Sequence, residues 1–224
     1  MLLIDNDKQG NASKFFGAYD YDKPSIADVL TGRDVDLAKI IRPTKFEKLD
    51  ILPANLSLLR ADKEVLLDTA RAQQTRLKKA LESLGGLYDY VIIDNAPDLN
   101  ISNINAIVAS DDILIPIKID QFALDGLEIL TEQAEDLRSF NPRLKIAGGF
   151  VTMYQKNNVN TAGLKYLREK QTLIPMFDAV ISKTVKVDES TFKGEPLLKY
   201  APKTRAASDY CALAEEYLGR SSGG

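Results

Sequence analysis

Residues 1–17 read MLLIDNDKQGNASKFFG. Leu2, Leu3 and Ile4 form a short apolar run that leads directly into Asp5 and Asp7. A glycine and small polar residues follow at once, as expected of a loop that bends sharply after a buried strand. The same pattern recurs along the chain. The runs LLI (2–4), LDILPA (49–54), YDYVIID (88–94), DILIPIKI (112–119) and LKIAGGFVTM (144–153) are short and nearly continuous in apolar residues, as in strands covered on both faces. Between them, 57–84 and 122–140 carry helical spacing; in the second, Leu124, Leu127, Leu130, Ala134 and Leu137 recur every three or four residues. Asn141-Pro142 stops that helix, and 159–170 and 203–218 supply two more. Strands alternating with helices predict an α/β fold with a doubly wound, mostly parallel sheet.

In such a sheet the functional loops lie beyond the carboxyl ends of the strands. That rule selects Asp5 and Asp7 after the first run, Asp94 after the third and Thr152 to Tyr154 after the fifth. Three carboxylates at one edge repel each other unless a cation or cationic ligand sits among them, and magnesium with a nucleotide is a common solution. Each Asp taken singly reads equally well as a cap on the following helix.

Composition narrows the chemistry. The chain has 224 residues, 45% of them hydrophobic and 27% charged, with 29 basic against 32 acidic side chains for a net charge of -3. Wholesale attraction to nucleic acid or anionic membrane is not expected, so any such binding needs a local patch. Histidine is absent and Cys211 is the single cysteine, which excludes His-based triads and an internal disulfide and argues against zinc. No apolar run is long enough to span a bilayer, and the N-terminus does not resemble a signal peptide, so a cytoplasmic protein is expected. The end, Gly219 to Gly224, reads as a disordered tail after one domain over 1–218.

The segment Asp5-Asn6-Asp7-Lys8-Gln9-Gly10-Asn11-Ala12-Ser13 resembles the D-x-D-P-Q-G-N-A-T segment of ParA-type partition ATPases, relatives of Soj and MinD in the deviant Walker class of P-loop NTPases. Tyr88 to Pro97 looks like the family's Walker B strand and its following loop. Ile113 to Leu127 (ILIPIKIDQFALDGL) is similar to its V-I-P-V…A-L-x-G-L stretch. Val185 to Ser190 and Tyr200 to Ala207 resemble its V-R-x-x-E-A and Y-x-P-x-S-x-G-A segments. The match spans about residues 1–218. Lys8 stands where the family usually has proline, and Asn95 where a small apolar residue is commoner.

The resemblance implies ATP and magnesium as cofactors. Asp94 and Asp5 would attend the metal and nucleotide, Asp7 would orient or activate the attacking water as the catalytic residue, and Met153 would lie where the family packs the adenine ring. A strand end packing into the core is the other reading of Met153. The family has a strand, a phosphate loop and a helix ahead of the D-x-D strand, and no G-x-x-x-x-G-K-[ST] occurs in this sequence. The chain thus starts about where the family's second strand should be, as a natural remnant or a shortened product. Without the cationic cradle, poor ATP binding and no useful hydrolysis by the chain alone are expected.

Residues 181–206 carry Lys183, Lys186, Lys193, Lys199, Lys203 and Arg205 against Asp188, Glu189 and Glu195, a local +3. By the resemblance, Lys186, Lys203 and Arg205 would bind DNA without sequence preference; a solvated surface is the plainer reading. The family further implies a homodimer formed with ATP, a ParB-like partition partner, and a role in segregating plasmid or mobile-element DNA. The alternative is a non-catalytic remnant that binds DNA or the partner without nucleotide control. A MinD-like membrane role fits less well, because the sequence ends in LGRSSGG and not in a basic amphipathic helix.

Overall fold

The computed structural model describes residues 1–97, 100–120, 123–169 and 174–222, without the side chains of 123–125, 128 and 222. The chain divides into two compact units, one of Met1–Ser110 with Leu137–Pro142 and one of Asp111–Asp136 with Arg143–Gly224.

In the first unit, the elements run β1 (Leu2–Asn6), α1 (Asn11–Phe15), α2 (Ile26–Thr31), a 3-10 turn at Leu37–Lys39, β2 (Arg42–Pro43), β3 (Asp50–Leu52), α3 (Leu58–Leu67), α4 (Arg76–Glu82), β4 (Val91–Asn95) and α5 (Ile101–Ala109). The sheet order is β2-β3-β1-β4, with β1 parallel to both β3 and β4 and β2 antiparallel to β3. Leu2 and Ile4 point into a core closed by Ile26 and Leu30 of α2, Leu58 and Val65 of α3 and Leu77 of α4. These fully enclosed aliphatic side chains each contribute about 1.5–3 kcal/mol by leaving water. The single helical pattern expected over 57–84 is broken into α3 and α4. Asp68 sits at the break, where its carboxylate accepts from the Ala70 N–H and pairs with Arg71 at 2.7 Å and Arg76 at 2.9 Å. Those local bonds satisfy the chain in a non-helical turn, which explains the break.

The second unit contains β5 (Asp112–Lys118), α6 (Ala123–Leu137), β6 (Lys145–Tyr154), α7 (Asn158–Glu169), β7 (Met176–Ser182), α8 (Val185–Lys193), α9 (Leu197–Tyr200) and α10 (Arg205–Ser222). Its sheet is parallel throughout, in the order β5-β6-β7. Ile115, Ile117, Leu127, Val151, Leu167 and Met176 form its main core. Of the α6 pattern, the Leu124 side chain lies outside the described residues, as do Gln121 and Phe122 of the ILIPIKIDQFALDGL stretch. The helix α10 runs on through Gly219 to Ser222, four residues into the stretch read as a tail. Arg220 holds it by donating to the Met176 carbonyl at 2.7 Å, pairing with Glu216 and lying over the Phe177 ring. Gly223 and Gly224 lie outside the described residues.

The fold is α/β with mostly parallel sheets. Two details depart from the sequence expectation. The strands pair as a four-stranded and a three-stranded sheet. The run at 88–94 is not covered on both faces either: Val91 is 40% and Ile92 51% exposed, because β4 is the last strand of its sheet.

Candidate nucleotide site and basic surface

The register of β1 against β4 sets Asp5 beside Asp94 and Asn6 beside Asn95. Adjacent parallel strands therefore end level, each delivering a carboxylate and an amide to the same edge. The loop after β1 is built around Asp5, which is fully buried. Its Oδ2 accepts from both the Ser13 backbone N–H and the Ser13 hydroxyl at 2.7 Å, and its Oδ1 accepts from the Asp7 N–H at 3.2 Å. The Ser13 oxygen in turn accepts from the Ala54 N–H at 2.8 Å, tying the loop to the end of β3. Asp7 caps its own turn by accepting from the Gln9 N–H at 2.9 Å, and Gly10 closes it with φ +61°. A carboxylate surrounded by donors in this way is a strong organiser of backbone.

Asp5 thus spends both oxygens on its own loop, whereas Asp7 is half-buried with one bond to its own turn and Asp94 is exposed. Asp94 is reached by solvent, yet its carboxyl is held above the ordinary range, first by partial burial and then by the negative charges of Asp5 and Asp7. The charges of Asp5 and Asp7 thus reach Asp94. Among the described residues no set of three or more acidic, Cys or His side chains could by itself hold a metal ion.

The upward shift carries a sign. A native carboxyl that binds its proton more tightly than the unfolded chain costs stability when ionised, above its folded pKa. That cost fades as pH falls through the folded value. Asp94→Asn is thus expected to raise the urea midpoint at neutral pH, with the gain shrinking in acid. A gain that held constant or grew toward low pH would contradict the coupling.

The amide network behind the carboxylates was not legible beforehand. Asn6, fully buried, donates to Asn95 Oδ1 at 2.8 Å and Asn103 Oδ1 at 3.3 Å, while Asn103 donates to the Ala96 carbonyl at 2.7 Å. Asn100 caps α5 by accepting from the Asn103 N–H. Ser13 was equally missed; its signal was only a small hydroxyl residue in the first turn after Gly10.

In the second unit, Met153 is 58% exposed with φ +53°. A strand end packing into the core is excluded by that exposure. Left-handed backbone at a non-glycine residue costs about 1 kcal/mol or more, which marks the position as constrained by its surroundings.

Half of the six basic residues of 181–206 are engaged by acids. Lys186 Nζ lies 2.7 Å from Glu189, which also accepts from the Tyr200 hydroxyl; the hydrogen bond to Glu189 raises the Lys186 pKa. Lys199 lies 3.6 Å from Glu195 and Arg205 4.0 Å from Asp209, an acid just beyond the counted window. Lys203 is exposed at the start of the turn leading into α10. Glu189 and Glu195 are already in the +3, and Asp209 brings the local excess to +2.

A family model described as an AAA domain matches residues 1–146. The Soj sporulation initiation inhibitor of Bacillus subtilis is 35% identical over 223 residues, covering 96% of this chain and 85% of that protein. The chromosome partitioning protein ParA of Caulobacter vibrioides is 36% identical over 224 residues, covering 98% of this chain and 83% of its own length. Among solved structures, a cobyrinic acid a,c-diamide synthase from Mycobacterium smegmatis, described with bound ADP and magnesium, superimposes with a TM-score of 0.82. It is 28% identical, over 100% of this chain and 83% of that one. With 35–36% identity over nearly the whole chain to Soj and ParA, the chain belongs to the ParA/Soj/MinD family of partition ATPases.

Proposed function

We propose that this chain acts in segregating the DNA of a plasmid or mobile element, in the cytoplasm, as a partition ATPase whose acidic half-site is Asp7 and Asp94. The observation that supports this most is the level ending of β1 and β4, which brings Asp94 within the field of Asp5 and Asp7. A magnesium ion held mainly by water and nucleotide phosphate, with one or two carboxylates nearby, fits that arrangement better than an all-protein cage. The upward shift at Asp94, due first to burial and then to the charges of Asp5 and Asp7, suits a position beside which a cation would bind. When bound, magnesium and ATP would supply the positive charge and the phosphoryl group. The chain's own residues would do the rest: Asp7 positions water, and Asp5 fixes the loop that carries Asp7. The basic surface with Lys186, Lys203 and Arg205 would meet DNA phosphates, with a ParB-like partner and a second copy completing the assembly.

A second reading is a remnant that binds DNA or its partner without nucleotide control.

One titration separates the two. Duplex DNA of random sequence is expected to bind weakly and with steep salt dependence. Lys203→Ala should remove about one unit from the log–log salt slope, and Lys186→Ala less, because Glu189 already neutralises that ammonium. An affinity that responds to ATP with magnesium supports the ATPase reading; an affinity indifferent to both supports the remnant. Absence of binding at low salt overturns the DNA role in either form.

A further inference from the structure

The last carbonyls of a helix have no partner within it and are met by other groups. At the end of α2 two arginines meet them. Arg71 donates to the carbonyls of Thr31 at 2.8 Å and Gly32 at 2.7 Å, and Arg76 to that of Leu30 at 3.0 Å. Both guanidinium groups also donate to one oxygen, Asp68 Oδ2, at 2.7 and 2.9 Å. A single carboxylate oxygen thus holds two cations side by side, and the Arg76 side chain is only 6% exposed. Arg76 Nε donates to the Ala72 carbonyl at 3.2 Å. A guanidinium has five N–H groups, and each of these spends three, so two on each lack a partner among the described residues. Capping α2 explains the positions of the arginines. It does not explain the surplus charge or the unused donors.

Both arginines line a cavity of about 770 Å³ walled by α2, α4 and the segments 32–36 and 70–72, all within the first unit. That volume is of the size that holds small organic ligands. Arg33 and Lys79 also line it; both are exposed, and among the described residues neither has an acidic partner. Against these four cations stand Asp34 and Asp36 in the lining and Asp68 behind the arginines, and Asp36 is already paired with Lys39 at 3.5 Å. With Lys39 included, five cations face three carboxylates, an excess of two positive charges.

We propose that this cavity binds a small phosphate monoester. Such a group carries about −1.5 to −2 charges at neutral pH, which matches the excess. Its oxygens accept from planar guanidinium forks, and Asp68 already fixes both forks in place. Val29, Val35 and Ala80 supply an apolar wall for a short organic body. The cavity lies at the C-terminal end of α2, whose N-terminal end is the one bonded to Pro53 beyond β3. It shares no residue with the acidic half-site or with the basic surface of 181–206.

Calorimetric titration of glycerol 3-phosphate into the full chain at low salt tests the proposal, with a Kd of about 0.1–1 mM expected. Glycerol, which lacks the charge, should give no binding. Arg33→Ala combined with Lys79→Glu should weaken binding by about tenfold or more. Both side chains are exposed, so the circular dichroism and urea midpoint of the parent should be kept. Lys165→Ala, at an exposed lysine of the second unit, should leave the Kd unchanged. In nitrogen-15 NMR spectra the Nε–H signals of Arg71 and Arg76 should move with the same Kd. No saturation by about 10 mM overturns the proposal, as does saturation that leaves those two signals still. A Kd indifferent to Arg33→Ala with Lys79→Glu, or moved as far by Lys165→Ala, overturns it equally.

Discussion

Asp5→Ala is expected to lower stability by about 3–5 kcal/mol, because it strips the acceptor from several enclosed donors together. The Ser13 N–H, the Ser13 hydroxyl and the Asp7 N–H all lose their partner, and the Ser13 oxygen loses the orientation with which it receives Ala54. Enclosed donors left unsatisfied cost more than the net worth of the bonds themselves, which is why the loss exceeds that of an ordinary exposed Asp. Asp5→Asn keeps one acceptor oxygen and should recover part of the loss. Urea denaturation followed by circular dichroism reads both, with the slope unchanged and the midpoint moved. A loss under about 1 kcal/mol for the alanine variant would show that Asp5 does not organise the loop. The functional corollary is that Asp7, whose N–H is held by Asp5, should lose its fixed position in the same variant.

Gly10→Val carries the second large effect. The residue has φ +61°, a region that a β-branched side chain hardly enters. Space is also lacking. A Cβ at this position would lie 2.6 Å from Tyr19 Cδ2 and 2.9 Å from the Ala54 carbonyl oxygen, and the second of these is backbone that cannot swing aside. Strain and overpacking together predict a loss of about 3–5 kcal/mol, or failure to fold. Gly10→Ala, with the same clash but a smaller side chain, should fall between valine and the parent. Equal urea midpoints for the parent and the alanine variant would mean that the turn opens freely, and that Tyr19 does not close over it.

How far the sequence led can be argued from these same residues. Strand positions followed from short Ile- and Val-rich runs, since a strand covered on both faces leaves no polar alternation. The D-x-D segment, the 88–97 segment and the rule that loops at strand ends carry function place Asp5, Asp7 and Asp94 at one edge from sequence alone. The strand over 176–182 and the helices α2, α5 and α8 escaped notice. They are short, and without long periodic runs the local signal does not separate them from loops. The split of 57–84 escaped for another reason: the bonds from Asp68 to Arg71 and Arg76 are an outcome of folding, not of periodicity.

The sequence by itself therefore determined the class of fold, the family and the strand ends on which the acidic residues stand, because burial pattern and order along the chain are local properties. Only the tertiary structure decided which carboxylate is free to act. Asp5 turns inward to Ser13, eight residues away, and Ser13 reaches Ala54, forty-one residues further on. Asn6 meets Asn95 across eighty-nine residues. Hydrogen-bond partners so distant in the chain are chosen by strand register and packing, and a residue's name alone does not reveal whether its charge faces a ligand or its own backbone.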